Sequence, residues 1–355
     1  MIGIIANPSS GKDIRRLVAQ ATVFDNMEKV NIIQRILSVI HASGLREICV
    51  MPDAFQIIEK ACEHLKRSMK IDVEIKYLDI LIENDQADST NAARMLNEMG
   101  ASCIITLGGD GTNRAVAKSC GEVPLIPVST GTNNVFPRMM EGTLAGMAAV
   151  VAERDKEKEW LKMSRRKCIK VYKNGVFTDI ALVDAAITSD LYVGARALYD
   201  PSAISELMVT VAKPDCLGMS AIAGSVHPVE ETDPNGVYVE LGDKGCVETW
   251  VPMAPGVMSK IAFKGYREIV PHERILVKAP EGMVALDGER EVPFNKGDRI
   301  ELELSPDGPV VIDIHETLKV ASGSGFFIEC GEGSKDVLEG FSFYRRCGED
   351  SSRGI

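Results

Sequence analysis

Short, continuous apolar runs recur along the first 150 residues: Ile2–Ala6, Glu47–Met51, Val73–Leu78, Cys103–Leu107 and Leu125–Val128. Runs of that length, bounded by polar turns, read as strands buried on both faces. Helical spacing separates them. Ile32, Ile33, Ile36, Leu37 and Ile40 fall on one face, with Gly44 as the stop. Ala54–Met69 and Thr90–Met99 have the same texture, the second with Asp88 and Ser89 as caps and Gly100 as its end. Strands alternating with helices predict right-handed crossovers, hence an N-terminal doubly wound α/β domain over residues 1–150.

The pattern changes after the charged stretch 153–167, which reads as a helix tail and linker. Lys173-Asn174-Gly175-Val176 is a hairpin turn. Strand-like runs follow at Thr249–Ala254, Lys260–Phe263, Arg274–Ala279, Met283–Asp287, Arg299–Leu304 and Val310–Ile314. Residues 165–318 are therefore expected to form a β-rich, sandwich-like domain. Residues 319–355 read as a returning tail, packed on the first domain.

A chain of 355 residues is long enough for two cores. Its net charge of −11 argues against nucleic acid or an anionic membrane as partner. Nine cysteines, with no C-x-x-C pair, suit reduced thiols in a cytoplasmic protein. The apolar start runs into Asn7-Pro8 too soon for a signal peptide, and no stretch is long enough to span a bilayer.

Ligands of doubly wound sheets lie at the carboxyl ends of the strands, and three unusual loops fall there. Gly108-Gly109-Asp110-Gly111-Thr112 follows a buried strand and precedes a short helix from Asn113. Its glycines let backbone N–H groups approach an anion, and Asp110 makes the cradle a candidate catalytic site. Asn7, Ser10, Gly11, Lys12 and, one helical turn on, Arg16 suit nucleotide phosphates, although the glycine spacing is not that of a Walker A loop. Thr130, Gly131 and Thr132 could hold ribose or phosphate oxygens, with Asn133 and Asn134 beside them. Each of the last two loops reads equally well alone as a plain turn or a capped helix start. Asp184 interrupts an apolar run, so its carboxylate needs a hydrogen-bonding purpose: a ligand hydroxyl or a strand-end cap. Asp287 and Glu289 form a hairpin turn, and join the site if the second domain folds that turn toward the cleft.

Taken together, the Asn-Pro-x-Ser-Gly loop, the Gly-Gly-Asp-Gly-Thr loop and Gly131-Thr132-x-Asn134 resemble the superfamily of NAD kinases and diacylglycerol/sphingosine-type lipid kinases. Ile5–Leu17, Gly108–Lys118 and Ser129–Pro137 look most like its ATP-NAD kinase-like acetoin-catabolism protein X family. Ala181–Ile187 and Ser220–Pro228 are similar to NAD kinase segments, the first with Asp184 in the acidic position. Two departures stand out. Val183 replaces an asparagine, and Lys213–Gly218 replaces Thr-Gly-Ser-Thr-Ala-Tyr; in NAD kinases both segments contact the dinucleotide. The resemblance implies a two-domain kinase with its site between the domains, ATP as donor, Mg²⁺, Asp110 as base and metal partner, and a homo-oligomer. The acceptor it implies is NAD, held by Asp184 and Asn133 or Asn134. A kinase of another small or lipid hydroxyl, and a nucleotide-binding protein without catalysis, remain open alternatives.

Overall fold

Strands β1 (Ile2–Ala6), β2 (Glu47–Val50), β3 (Glu74–Tyr77), β4 (Cys103–Gly108) and β5 (Leu125–Ser129) run parallel in the order β3-β2-β1-β4-β5. The computed structural model describes residues 1–11, 25–68, 73–131, 133–189, 201–242 and 247–328. Alternate residues of each strand enter different cores. Ile4 and Ile105 pack with Ile33, Ile36, Ala145 and Ala148 of the helices Asn26–Ala42 and Gly142–Arg154. Ile5 and Ile104 pack on the other face with Ala92, Ala93 and Leu96 of the helix Gln86–Glu98. Burial on both faces explains why these strands read as unbroken apolar runs.

One helix starts earlier than its pattern predicts. Asp85, not Asp88 or Ser89, caps Gln86–Glu98 by accepting from the Ala87 N–H. Asp88 lies inside that helix and accepts the N–H groups of Glu83 and Asn84 instead. The stretch 153–167 is also more than a linker. Its helix ends at Arg154, Asp155 accepts three N–H groups from Glu159, Trp160 and Leu161, and β6 (Met163–Arg165) then joins the first sheet.

The second half is a β sandwich. Its seven-stranded sheet contains β9 (Asp184–Thr188), β10 (Ile204–Val209), β11 (Gly236–Leu241), β12 (Val247–Ala254), β13 (Val257–Ile269), β15 (Gly282–Leu286) and β16 (Glu289–Phe294). The four-stranded sheet contains β7 (Cys168–Lys173), β8 (Val176–Ala181), β14 (Arg274–Leu276) and β17 (Ile300–Ser305). Ile169, Val171, Leu302 and Leu304 of the smaller sheet meet Ala185, Ile187, Met208 and Val284 of the larger one in a shared core. Asn174 and Gly175, both at positive φ, turn the β7–β8 hairpin as expected.

The chain returns to the first domain before the expected tail. β18 (Val310–Ile312) pairs parallel with β5 and antiparallel with β6, so the first sheet has seven strands. The helix Ile314–Gly323 follows, and Phe326 meets Trp160 edge-to-face at 5.2 Å. The tail thus packs on the first domain over its described part, and residues 329–355 lie outside it. No helix among the described residues is long and apolar enough to cross a membrane.

Candidate active site

The sheet order changes direction between β1 and β4, the switch point where doubly wound sheets bind ligands. The loops after β1, β4 and β5 meet there. Asn7 Nδ2 donates to Thr112 Oγ1 at 2.9 Å, and the Ser10 and Thr130 hydroxyls lie 2.9 Å apart. Thr130 N–H donates to the Gly108 carbonyl at 3.2 Å. Asn134 Nδ2 reaches Ser129 Oγ at 2.7 Å.

Glycines 108 and 109 are required by this crowding. A Cβ on Gly108 would stand 2.4 Å from Thr112 Cβ, and one on Gly109 would stand 2.8 Å from Asn134 Oδ1. Gly11 turns the first loop at φ +79, where a side chain is strained.

Asp110 stands in the first turn of the helix Asp110–Ala117, which begins at the carboxylate itself and not at Asn113. Gly109 precedes it without any side-chain cap. Asn113 is drawn into the turn, donating to the Gly109 carbonyl and accepting from Thr106 Oγ1 at 2.6 Å. The Asp110 carboxylate accepts the N–H groups of Phe136 at 2.8 Å and Val135 at 3.1 Å. It therefore locks the loop after β5 onto the helix after β4.

Two buried cations that the motifs did not single out hold this arrangement. Lys29, fully enclosed, donates to the carbonyls of Asn7 and Ser10 at 2.8 and 2.7 Å. It is the built-in clamp of the first loop. Arg114, also fully enclosed, joins the domains. Its guanidinium contacts Asp179 at 3.1 Å, Glu291 at 2.8 Å and Asp287 at 3.8 Å, and donates to Gln86 Oε1 at 3.2 Å. Burial opposes its charge, but Asp287, Asp179 and Glu291 outweigh burial and raise its pKa.

The sequence-predicted residues fare differently. Asp287, at φ +50 before Gly288 at +79, forms the β15–β16 turn. Its side chain is fully enclosed and accepts N–H groups from Leu182, Val183 and Asp184. The turn does fold back toward the first domain, where the Asp287 carboxylate ties the backbone of residues 182–184 together and approaches Arg114. Burial pushes its carboxyl above the usual range, against the pull of Arg114 and the three N–H groups. Glu289 is half-open, is hydrogen-bonded by Gln86, and has its Oε1 3.0 Å from where a Gly111 Cβ would stand. Asp184 is buried at the start of β9, as its sequence context suggested. Asn133 is half-buried on the loop after β5. Lys12, Arg16 and Thr132 lie outside the described residues.

Beside the Asp110–Phe136 contact lies a small, partly open cavity, with room of about 20 Å³. Val135, Phe136, Leu182 and Val183 form its apolar wall, and Arg166, Lys167 and Glu231 its charged wall.

Residues 2–155 match the ATP-NAD kinase N-terminal domain, and residues 167–307 match the acetoin catabolism protein X C-terminal domain. Over 330 residues the chain is 36% identical to acetoin catabolism protein X of Cupriavidus necator, covering 90% of this chain and 92% of that one. The chain belongs to the acetoin catabolism protein X family. Among solved structures, yeast NADH kinase complexed with NADH is 11% identical, covering 94% of this chain and 89% of its own, at a TM-score of 0.42. A putative diacylglycerol kinase from Bacillus anthracis str. Sterne is 14% identical, covering 88% and 96%, at 0.44.

One feature of this acetoin catabolism protein X relative has a direct pH signature. Burial pushes Lys167 down to about 8 from 10.5, despite the nearby charges of Asp233 and Glu231. A lysine whose folded pKa lies below its unfolded value penalises the folded state while it stays charged. Between about pH 8 and 10 the unfolded chain binds the extra proton, so this site's contribution to stability rises with pH and is flat below. Urea unfolding at pH 7.5 and 9.5 should show wild type gaining on Lys167→Met by about 1–2 kcal/mol. A pH-independent difference would show that Lys167 titrates normally.

Proposed function

We propose that this chain is a phosphotransferase that moves the γ-phosphoryl group of ATP to an alcohol oxygen. The observation that carries the reading is the convergence of three polar loops at the switch point, with the Asp110 carboxylate at their centre. In the reaction the acceptor oxygen forms a bond to Pγ and the bond from Pγ to the bridging oxygen breaks, so that ADP leaves. The acceptor's proton passes to Asp110, the carboxylate in the cradle. Such transfer depends mainly on positioning and charge stabilisation. The loop N–H groups, the hydroxyls of Ser10, Thr112 and Thr130, and the clamp of Lys29 supply the positioning.

Mg²⁺ fits this site in one form. Among the described residues no three His, Cys, Asp or Glu side chains form a metal cage. Magnesium is commonly held by one or two carboxylates together with substrate phosphates. Asp110 suits that role as the carboxylate at the centre of the three loops, facing the place where the substrate phosphates would lie. When bound, the ion would neutralise charge on the transferring phosphate.

NAD is the first acceptor to test, with Asp184 and Asn133 as its hydroxyl partners. Asn134, on the same loop, is the alternative to Asn133. A different hydroxyl compound is the second reading, and one observation favours it: Val183, apolar where NAD kinases carry asparagine, lines the cavity. Purified chain given labelled ATP and Mg²⁺ should label one member of a panel of NAD, NADH, diacylglycerol, sphingoid bases and small polyols. Label in NAD supports the first reading, and label in another alcohol the second. ATP binding without label in any acceptor would reduce the protein to a nucleotide binder.

A further inference from the structure

Arg138 closes the loop after β5. Ser129 N–H donates to the Arg138 carbonyl at 2.9 Å, so the two ends of that loop meet. Two residues before Arg138, the Phe136 N–H meets the Asp110 carboxylate. The Arg138 side chain crosses to the second domain, where its Nη2 donates to both Glu231 oxygens at 3.0 Å. Glu231 therefore grips the base of the loop that holds Asp110. The same carboxylate takes two more cations from separate parts of the chain. Arg166, between β6 and β7, binds Oε2, and Lys213, after β10, has its Nζ 3.5 Å from Oε1. Glu230 takes Lys213 from the other side at 3.0 Å, which helps to match the charges of the cluster.

Both partners of Arg138's loop are anchored. Glu231 lies on a turn in which Glu230 N–H donates to Asp233 Oδ2 at 2.8 Å, and Lys167 Nζ donates to the carbonyls of Glu230 and Asn235 at 3.2 and 2.6 Å. Ala212 and Val229 exchange both backbone hydrogen bonds at 2.9 Å, which sets Lys213 opposite Glu230. Ser220 Oγ accepts the Lys213 N–H at 3.1 Å, and Gly218 N–H donates to the Pro252 carbonyl at 2.9 Å, so the segment 213–218 is tied at both ends. That segment lies near the reacting carboxylate: burial and Asp215 push the Cys216 thiol up, and the charges of Lys213, Asp110 and Glu231 also reach it. An isolated exposed ion pair contributes little, and Arg138 is mostly exposed. Glu231, Arg166 and Lys213 are largely buried, however, so the pair belongs to a network that water screens weakly. Burial opposes a charge on Glu231, but Arg166, Arg138 and Lys213 outweigh it and hold its carboxyl below the usual range.

We propose that Glu231 is a positioning residue for the transfer reaction. Through Arg138 it fixes the loop that presents the Val135 and Phe136 N–H groups to Asp110, and through Lys213 it fixes the segment 213–218 beside that loop. Without its carboxylate, Arg138, Arg166 and Lys213 would face one another, and their repulsion would push the base of the loop outward. The role in turnover rests on the phosphotransferase reading; the coupling of Glu231 to the Asp110 loop does not.

The test is amide hydrogen exchange on the full chain, read over residues 133–138 and 213–218, beside urea unfolding and turnover. Arg138→Gln should speed exchange over 133–138 about tenfold, the size of a coupling within one ion-pair network, with global unfolding close to wild type. Glu231→Gln should do the same and also speed exchange over 213–218. The double variant should be no faster over 133–138 than Glu231→Gln alone, because both changes break one link. Arg299→Gln, which breaks a similarly exposed pair with Glu301, is the control and should change neither segment. In turnover, Arg138→Gln should lower kcat about tenfold, as displaced reacting groups do, with the KM for Mg·ATP kept. Arg138→Lys should recover part of both effects. If Glu231→Gln does not fold, Arg138→Gln and its control still decide. Exchange over 133–138 that is unchanged in Arg138→Gln, or raised as much in Arg299→Gln, would overturn the proposal, and faster exchange with undiminished kcat would overturn the positioning role. Arg138-dependent exchange in a chain that transfers no phosphate keeps the coupling and ends the kinase reading; equal transfer by wild type and Arg138→Gln does the reverse.

Discussion

Asp110→Asn should lower phosphoryl transfer by roughly 10²–10⁴-fold, the usual effect of removing a general base. The substitution is nearly isosteric, so the helix Asp110–Ala117 should still form. It also changes a structural contact, because an amide nitrogen cannot accept the N–H groups of Val135 and Phe136 as the carboxylate does. Two readouts separate these effects. Losing a backbone acceptor should lower stability by about 1–3 kcal/mol, which denaturant unfolding measures. Loss of chemistry should appear in kcat with Mg·ATP affinity largely kept. Wild-type turnover in the variant would remove Asp110 from the mechanism.

Arg114→Met should produce the largest loss of stability. Its guanidinium is fully buried among Asp179, Asp287 and Glu291, and its removal leaves enclosed carboxylates facing one another. Breaking a buried pair in this way typically costs about 3–5 kcal/mol. The damage should also reach the site, since Asp287 organises the backbone N–H groups of residues 182–184 and Val183 lines the cavity. Arg114→Lys keeps the charge but not the planar fork, so it should recover only part of the loss. Unfolding of the three proteins in urea is the check. A Met variant as stable as wild type would show that the domains are joined by apolar contacts alone.

Much of this architecture is visible in the order of residues. Strands buried on both faces leave continuous apolar runs, and loops at their carboxyl ends can be found by counting. The convergence of Asn7–Gly11, Gly108–Thr112 and Ser129–Asn134 follows from topology, and the structure bears it out. What stayed hidden is non-local. Arg114 reads as an ordinary helical cation because its partners lie in β8, in the β15–β16 turn and in β16. Lys29 left a signal that could have been used, since it sits one turn before Ile32 and Ile33 on the apolar face. A cation on such a face must find acceptors, and here they are the carbonyls of the first loop. Asp287 reads as a hairpin-turn residue that joins the site if its turn folds toward the cleft; the turn geometry is legible in the sequence, but the three N–H groups it meets are not. The run Val310–Ile314 reads as a strand of the β-rich domain, whereas its strand Val310–Ile312 joins the first sheet, because a short apolar strand looks the same in either.

The charged groups around Glu231 illustrate the same limit. Arg138, Arg166 and Lys213 are unremarkable singly, and only the folded chain brings them to one carboxylate.

The central claim is that the three loops around Asp110 transfer phosphate to an alcohol. Phosphorus NMR of the full chain with Mg·ATP and candidate acceptors measures this most directly. The account predicts loss of the γ-phosphate resonance in step with equal gains of ADP and a phosphate monoester. Conversion to ADP and inorganic phosphate alone, or bound ATP that persists unchanged with every acceptor, would contradict it.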